Sequence, residues 1–583
     1  MKKSTKNSTG LETAVQSVQI NQLFNWKYTF LLLHTLFMIL MPGVKVIGGE
    51  SEVLNPNLPV PLTVQTPDNN QDQINTPSTV TPKGVYVRQI QILDSTVFSS
   101  QELQEAVKSF TGRELILEEI KLAADAVTQL YLNNDYLNSR AIVAQEPNPD
   151  GIAVIRVIEG KLTTIKVEGK PRINPSYIID RIQSGTGVPL NSKKLEEQLR
   201  LLRLDPLFNN VEASLRPTGV VGQSLLVVRV QETDPFSVNL NVDNYSPPSI
   251  GGERLGVELR HLNLSQFADQ LEASYYRSTT GGSESFDLRY QVPLNPMNGT
   301  LQFRVAPNNS KITESEFKDL GIRASQSLYA INYRQPLVRS TKEELALSLG
   351  FTYQDGQTFI FDQLPTPFGI GPDQDGVSRT SVITFGQEYI KRDVQGAWSG
   401  RSRFNFGVDL FNSTTNNEPI PDGRFFTWLM QIERLQKLSD NQFLLIQADL
   451  QLTPDSLLPS QQFLIGGGQS IRGYRQNARS GDNGFRIAIE DRITVQRDAS
   501  GLSLIQLIPF VNVGNVWSKS DNPNQPREQT FLGSAGLGLL WNQALGIDHL
   551  ILRLDYGIPF VDLQDRTNNI QDQGFSFSLR YQP

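Results

Sequence analysis

The chain has 583 residues, a formal net charge of −7 and no cysteine. This acidic balance excludes the broad positive field that nucleic-acid binding requires, so we expect no nucleic-acid partner. The lack of cysteine excludes disulfides and thiolate chemistry, and the three histidines, His34, His261 and His549, lie far apart in sequence. We therefore expect no catalytic residues, no metal site and no cofactor, and we predict that the chain is not an enzyme.

The N-terminal segment, residues 1–49, has the features of an export signal. An apolar run of 12 residues from Phe30 to Met41 follows several lysines and precedes Pro42-Gly43. Its length is typical of a secretory signal and falls short of the roughly 20 residues that a membrane-spanning helix needs. We expect cleavage near Gly48. If the exported chain crosses a membrane, it must do so with strands.

Residues 50–83 form a predicted linker with six prolines among Asn, Gln, Asp and Thr. Such a composition buries too little apolar surface to offset chain entropy, and it favours a largely extended segment. A docking role for this linker is the alternative.

Two similar modules follow, over residues 84–159 and 160–233. Each has the pattern of a strand, two helices and two strands (β-α-α-β-β). In the first module, Ser99 and Glu102 have the spacing of a helix capping box. Gly187 of the second module follows Gly112 of the first by 75 residues, and such a fixed spacing indicates an internal repeat. The sequence therefore predicts two tandem copies of one small α+β module.

From residue 234 to residue 583, apolar and polar side chains alternate with period two, as in Leu255, Val257 and Leu259. A soluble sandwich would bury the apolar face, whereas a membrane barrel would turn it to lipid. The export signal, strand lengths of about 9 to 11 residues and aromatic residues near strand ends, such as Tyr275-Tyr276, favour the barrel. At roughly 22 residues per strand and connection, the region holds an even number of strands near 16. The predicted fold is tandem α+β modules followed by a membrane β-barrel of about 16 antiparallel strands.

One connection within the barrel, residues 453–484, carries a glycine-padded motif. The glycines let the backbone turn and let the tip approach another surface closely. A solvated loop arginine is one alternative. A phosphate-binding glycine loop is another, but the stretch has no following Lys-Ser/Thr and opens no helix. The motif consists of Gly466, Gly467, Gly468, Ile471, Arg472, Gly473 and Tyr474.

The two modules, the barrel and the Ile-Arg-Gly-Tyr tetrapeptide together resemble the two-partner secretion transporters, the ShlB/FhaC/HecB family, which is related to BamA and the chloroplast Toc channels. The resemblance implies polypeptide-transport-associated (POTRA) modules in the periplasm and a barrel in the outer membrane. It also implies that the 453–484 loop folds back into the lumen, where the barrel wall holds Arg472. Relatives commonly have aspartate where Asn512 stands. We expect Asn512 to contact Arg472, with Glu490 or Asp555 supplying the negative charge.

The implied function is a translocation pore that exports an unfolded partner exoprotein, of haemolysin or adhesin type, from the periplasm to the cell surface. The expected partners are this secreted polypeptide, outer-membrane lipid and the barrel-assembly machinery that inserts the chain. The C-terminal residues resemble an outer-membrane assembly signal, although the chain ends in Gln582-Pro583 instead of an aromatic residue. The residues of this predicted signal are Phe575, Phe577, Leu579 and Tyr581.

Three other functions are alternatives. A BamA- or Toc-like insertase that assembles other barrels is the nearest of them. A passive porin would need no tandem modules, and an outer-membrane hydrolase would need a serine close to a histidine.

Overall fold

The computed structural model describes residues 62–64, 84–169, 171–526 and 528–583. The predicted export signal and most of the predicted linker lie outside these residues. The chain divides into one compact unit that ends at Thr233 and another that begins at Asp234. None of the described helices is both long enough and apolar enough to span a membrane.

The first module of the N-terminal unit packs two helices on a small sheet. Its elements are β2 (Val85–Val87), β3 (Gln89–Leu93), α1 (Ser100–Val107), β4 (Arg113–Leu115), α2 (Leu117–Asn133), β5 (Arg140–Gln145) and β6 (Ile152–Ile158). Helix α1 begins with the predicted capping box, because Ser99 and Glu102 exchange side-chain to backbone hydrogen bonds. Leu103, Val107 and Tyr131 are buried in the core. The short pair β2–β4 was not predicted.

The second module repeats this arrangement. Its elements are β7 (Lys161–Glu168), α3 (Pro175–Gln183), α4 (Ser192–Arg203), β8 (Phe208–Pro217) and β9 (Gln223–Glu232). In both modules the first main strand pairs in parallel with the last, and the last pairs antiparallel with the middle one. The predicted tandem α+β modules are therefore confirmed.

The second module's sheet has a fourth strand from the linker. Strand β1 (Leu62–Val64) pairs in parallel with β8, with Thr63 opposite Ser214. This sheet consequently has the order β1-β8-β9-β7. The sequence predicted an extended linker, and this part of it is extended as an edge strand.

The C-terminal unit is a closed barrel, in which sixteen strands of the described chain form a continuous antiparallel ring. These strands are β10 (Phe236–Asp243), β11 (Arg254–Leu262), β12 (Gln270–Ser278), β13 (Ser283–Pro293), β14 (Thr300–Lys311), β15 (Arg323–Arg339), β16 (Glu343–Ile360), β18 (Val377–Asp393), β19 (Gly396–Val408), β20 (Phe426–Ser439), β21 (Gln442–Leu452), β24 (Asn483–Arg497), β25 (Ser503–Trp517), β26 (Phe531–Asn542), β27 (Leu550–Pro559) and β28 (Phe575–Tyr581). Three short strands lie in the connections: β17 (Leu364–Pro365), β22 (Phe463–Ile465) and β23 (Arg479–Gly481). Strand β10 pairs with β28 and closes the ring.

Side-chain polarity in the barrel is the reverse of that in a soluble domain. On β13, Asp287 and Arg289 are 5% and 9% exposed, whereas the neighbouring Phe286 is 39% exposed. Apolar residues on the outside and charged residues on the inside are the arrangement of a barrel in lipid. The alternation also corrects one prediction from the sequence, which grouped Tyr275 and Tyr276 as aromatic residues near a strand end. The two side chains lie on opposite faces of the strand. Tyr275 points outward, and the inward Tyr276 hydroxyl donates to Glu258 at 2.5 Å.

The connections differ in length between the two ends of the barrel. At one end they have two to seven residues, as in 394–395 and 263–269. At the other end they are mostly longer, and the longest is 453–482, which joins β21 to β24. This long connection contains the predicted motif.

Candidate functional site: a loop docked on the inner barrel wall

The connection between β21 and β24, hereafter the lumenal loop, spans residues 453–482. The predicted loop ended at residue 484, but Asn483 and Gly484 belong to β24. Strands β22 and β23 pair as a hairpin and form the stem of the loop. Phe463 and Ile465 of the stem are buried against residues of the barrel wall. The stem therefore carries the tip, residues 466–478, into the barrel.

The three consecutive glycines stand where the chain turns away from the stem. Gly466 and Gly467 have φ values of +107° and +102°, a region that favours glycine. Gly468 has a different role, because a Cβ at this position would lie 2.6 Å from the Tyr245 ring and 2.7 Å from the Ser576 Cβ. The loop backbone thus approaches the wall so closely at Gly468 that no side chain fits.

Arg472 lies at the tip of the loop and is 3% exposed. Its Nη2 donates to Asn512 Oδ1 at 3.1 Å, and its Nη1 donates to Asp555 Oδ1 at 3.2 Å. Nη1 also lies 2.9 Å from Glu490 Oε1. The guanidinium carbon stands 3.5 Å from the centroid of the Phe510 ring, at cation–π distance. The structure thus brings the three partner residues named from the sequence to one arginine, and adds a phenyl ring.

Two further arginines contact the carboxylates that surround the loop arginine. Arg553 donates to Asp555 Oδ2 at 2.8 Å and to Glu490 Oε1 at 3.1 Å, and Arg492 contacts Glu490 Oε2 at 3.1 Å. Three arginines therefore share two carboxylates. Asn512 is fully buried, and its Nδ2 has no hydrogen-bond partner among the described residues. A buried donor left unpaired costs about 1–3 kcal/mol. The neutral amide oxygen of Asn512 also makes a weaker hydrogen bond with the Arg472 guanidinium than a carboxylate would.

Gly473 and Ile471 contact glycines that lie within wall strands, near the ends of those strands. A Cβ on Gly557 of β27 would come within 2.6 Å of the Gly473 nitrogen, so the two backbones touch. A Cβ on Gly514 of β25 would come within 2.7 Å of Ile471 Cδ1. Each wall glycine therefore opens space for one residue of the tetrapeptide.

Tyr474 also contacts a wall glycine. Its hydroxyl donates to the Gly533 carbonyl at 2.8 Å and accepts from the Val561 N–H at 3.2 Å. All four residues of the tetrapeptide consequently have a counterpart on strands β24 to β27 or next to them. Sequence reasoning missed the wall glycines. The available signal was an isolated glycine inside an alternating strand, which marks a close approach of another segment.

Two further arginines beside the motif bind the base of the tip to the neighbouring connection. Sequence reasoning missed both. Arg475 and Arg479 pair with Asp565 at 2.8 Å and 3.1 Å. Asp565 belongs to the 560–574 connection between β27 and β28. On the other side, Arg486 of β24 pairs with Asp449 and donates to the Gln469 carbonyl at 2.6 Å. The loop is therefore held by the neighbouring connection as well as by the wall.

The predicted assembly signal forms β28, the strand that closes the barrel. Phe575 and Tyr581 are exposed, and Phe577 and Leu579 lie half-buried on the same face of the strand. Its pairing with β10 covers four positions, from Ser578 to Tyr581. The position at the seam suits an assembly signal, and that role stays a prediction.

Two protein-family models match this chain. The model described as "POTRA domain, ShlB-type" matches residues 85–160. The model described as "Haemolysin secretion/activation protein ShlB/FhaC/HecB" matches residues 222–540, more than half of the chain. The chain belongs to the ShlB/FhaC/HecB family. The resemblance drawn from the sequence is thereby confirmed.

Individual proteins that are similar to this chain agree with the family assignment. The chain is 21% identical over 482 residues to the heme/hemopexin transporter protein HuxB of Haemophilus influenzae, covering 78% of this chain and 81% of that one. It is 23% identical over 491 residues to the outer membrane transporter CdiB of Escherichia coli, covering 82% and 79%. The structure of CdiB from E. coli matches with a TM-score of 0.66 at 18% identity, over 98% of this chain and 99% of that one.

A structure of BamA from Haemophilus ducreyi lacking POTRA domains 1–3 matches with a TM-score of 0.52 at 16% identity, over 86% of this chain and all of that one. At this identity the match shows a shared fold. Family membership and the barrel together make this ShlB/FhaC/HecB protein an outer-membrane translocation pore for a partner exoprotein, with its N-terminal modules in the periplasm.

Proposed function

We propose that this protein exports an unfolded exoprotein of haemolysin or adhesin type, and that the lumenal loop closes the pore until the exoprotein arrives. The observation that carries the proposal is the docking of the Ile-Arg-Gly-Tyr tetrapeptide on the inner wall of strands β24 to β27. A loop that only covered the barrel mouth would not need a buried arginine with three polar partners on that wall.

The contacts of the tip suit a closure that can be released. Arg472 and Tyr474 bind the wall through side chains, and the glycine contacts are van der Waals contacts. The tip can therefore leave the wall without breaking the barrel ladder. Water and lumenal polar groups can then solvate the freed arginine and carboxylates, which lowers the cost of opening.

The direction of transport follows from the topology. The modules are periplasmic in this family, and β10 begins directly after them at Phe236. The long connections, the lumenal loop among them, then belong to the cell-surface end. We expect the client to enter from the modules and to emerge between these connections. Its folding outside would make return unfavourable and supply the driving force.

The remaining partners are part of the same proposal. An unfolded client can add a strand to a sheet edge of the periplasmic modules through main-chain hydrogen bonds. The outward apolar face contacts outer-membrane lipid, and the barrel-assembly machinery inserts the barrel by way of strand β28.

The experiment is export by the full chain in an outer membrane whose own two-partner transporters have been deleted. Candidate exoproteins are co-expressed, and their arrival at the cell surface is measured by added protease. We expect one exoprotein to become accessible only when the transporter is present. The purified protein is also mixed with unfolded N-terminal exoprotein fragments and with C-terminal strand peptides of outer-membrane barrels. Binding of the strand peptides alone, without any export, would favour the BamA-like insertase, whose fold is similar.

A further inference from the structure

The second module has one sheet edge that is longer and more regular than the corresponding edge of the first. Strand β8 spans ten residues, and its pairing with β9 is regular from Asn210 to Pro217. In the described part of the chain, only β1 pairs with the outer edge of β8, opposite Ala213 to Leu215. Among the described residues, most of this edge therefore has no strand beside it.

The corresponding edge of the first module is a poorer template. Strand β5 has six residues, and its pairing with β6 shifts register between Val143 and Gln145. Short edge strands and bulges are the features by which proteins prevent another chain from adding a strand. Of the two edges, that of β8 is the better suited to accept an extended polypeptide.

Strand β1, the described part of the linker, covers three positions of the β8 edge. Strand β1 has three residues, and parallel pairs are slightly less stable per residue than antiparallel ones. Pro61 precedes the strand directly and Pro67 follows three residues after its end. Neither proline has an N–H group to donate to a strand ladder. The linker strand holds its place chiefly because it is tethered, which gives it a high effective concentration.

We infer that the β8 edge is the docking surface for an extended segment of the client, and that strand β1 occupies this edge until the client displaces it. This inference rests on the proposed export function. The segment it fits is uncharged and β-prone, like the resident Leu-Thr-Val, and it binds by main-chain hydrogen bonds along Val211 to Pro217. A client that pairs with more residues than the three of β1 replaces it.

The first test fixes β1 in place. Thr63 and Ser214 are register partners, and the chain has no other cysteine to interfere. The double variant Thr63→Cys/Ser214→Cys should form a disulfide in the full-length protein, because paired strands bring Cα atoms within bridging distance. The control is Thr63→Cys/Thr218→Cys, since residue 218 lies four positions further along. Equal oxidation of both pairs, or none of the first pair, would overturn the inference.

The second test measures access to the edge with a defined probe. The probe is a fluorescent synthetic peptide with the sequence of residues 57–67, added to the full-length protein in detergent. We expect binding at least tenfold tighter to Thr63→Pro/Val64→Pro than to the unaltered protein. Two consecutive residues of a strand point their N–H groups to opposite sides, so the double substitution removes the donor that faces β8. The oxidised Thr63→Cys/Ser214→Cys protein should bind no peptide, and reduction should restore the original affinity.

Equal peptide affinity of all three proteins would show that β1 does not occupy the binding surface, and the inference would fail. The peptide readout does not depend on export. If the strands exchange as expected but the protein exports no exoprotein, the proposed function fails, whereas the occupation of the β8 edge by a displaceable strand β1 stands.

Discussion

Two arginine–carboxylate clusters inside the barrel have similar chemistry and different topology. In one, Arg334 of β15 donates to Glu344 of β16 at 2.5 Å and to Glu388 of β18 at 2.7 Å, and Arg401 of β19 pairs with Glu388. All of these residues belong to wall strands, so the cluster holds neighbouring strands together. In the other, Arg472 comes from the lumenal loop and only its partners belong to the wall. The same kind of ion pair stabilises the wall in one place and holds a separable segment in the other.

The largest expected difference comes from removing each arginine. Arg472→Ala should open the pore, because the tip of the loop loses the contacts of this arginine to Glu490, Asn512 and Asp555. Breaking a buried ion pair costs about 3–5 kcal/mol, enough to shift the loop largely to the released state. The measurement is single-channel conductance in planar bilayers, where we expect a several-fold increase.

Arg334→Ala is the matched control. It removes a partly buried arginine with two carboxylate partners from the wall, so it should lower the melting temperature of the barrel and leave the conductance unchanged. Equal conductance of the two variants would contradict the assigned role of Arg472.

The second expected effect tests the shape of the wall without altering a charge. Gly557→Ala places a methyl group where the Gly473 backbone lies, 2.6 Å from its nitrogen. The loop should undock, and conductance should rise nearly as much as in Arg472→Ala. Gly400→Ala on β19 is the control, because a Cβ there meets nothing within 4 Å. If both alanine variants behave alike, close contact with the wall does not hold the loop.

The contrast between the two clusters also indicates what the sequence alone could predict. Period-two alternation and the tandem repeat indicate the barrel and the modules, because both are local patterns. The family motif identifies Arg472 in the sequence. The inward-facing phase of three late strands limits its candidate partners to a few polar residues, among them Glu490, Asn512 and Asp555.

The wall glycines and the linker strand were not predicted, and the reason is physical. Gly514 and Gly557 meet the loop only because strands β25 and β27 have a particular register across the barrel. Strand β1 pairs with β8 about 150 positions away in the chain. Such long-range register depends on the packing of the whole unit, and the local pattern of residues does not specify it.

The third expected effect concerns the neutral partner of Arg472, the amide of Asn512. Asn512→Asp places a carboxylate next to the Arg472 guanidinium and removes the unpaired Nδ2. The loop should bind the wall more tightly by about 1–2 kcal/mol, which corresponds to spontaneous openings that are roughly ten times rarer. Asn405→Asp on β19 adds the same charge outside the contacts of Arg472, at a site where Asn405 bonds with Thr384 and Thr427. Fewer openings in both variants would attribute the effect to lumenal charge in general.

The smallest expected effect isolates one hydroxyl group. Tyr474→Phe keeps the ring in its buried place and removes the hydrogen bonds to Gly533 and Val561. A hydrogen bond of this kind contributes about 1 kcal/mol, so openings should become about five times more frequent. Tyr276→Phe removes an inward hydroxyl that bonds to Glu258 of the wall, and it should leave the opening frequency unchanged. The Tyr474 hydroxyl joins the loop to the wall, whereas the Tyr276 hydroxyl joins two strands of the wall. Equal opening frequencies of the two variants would mean that the Tyr474 hydroxyl does not hold the loop.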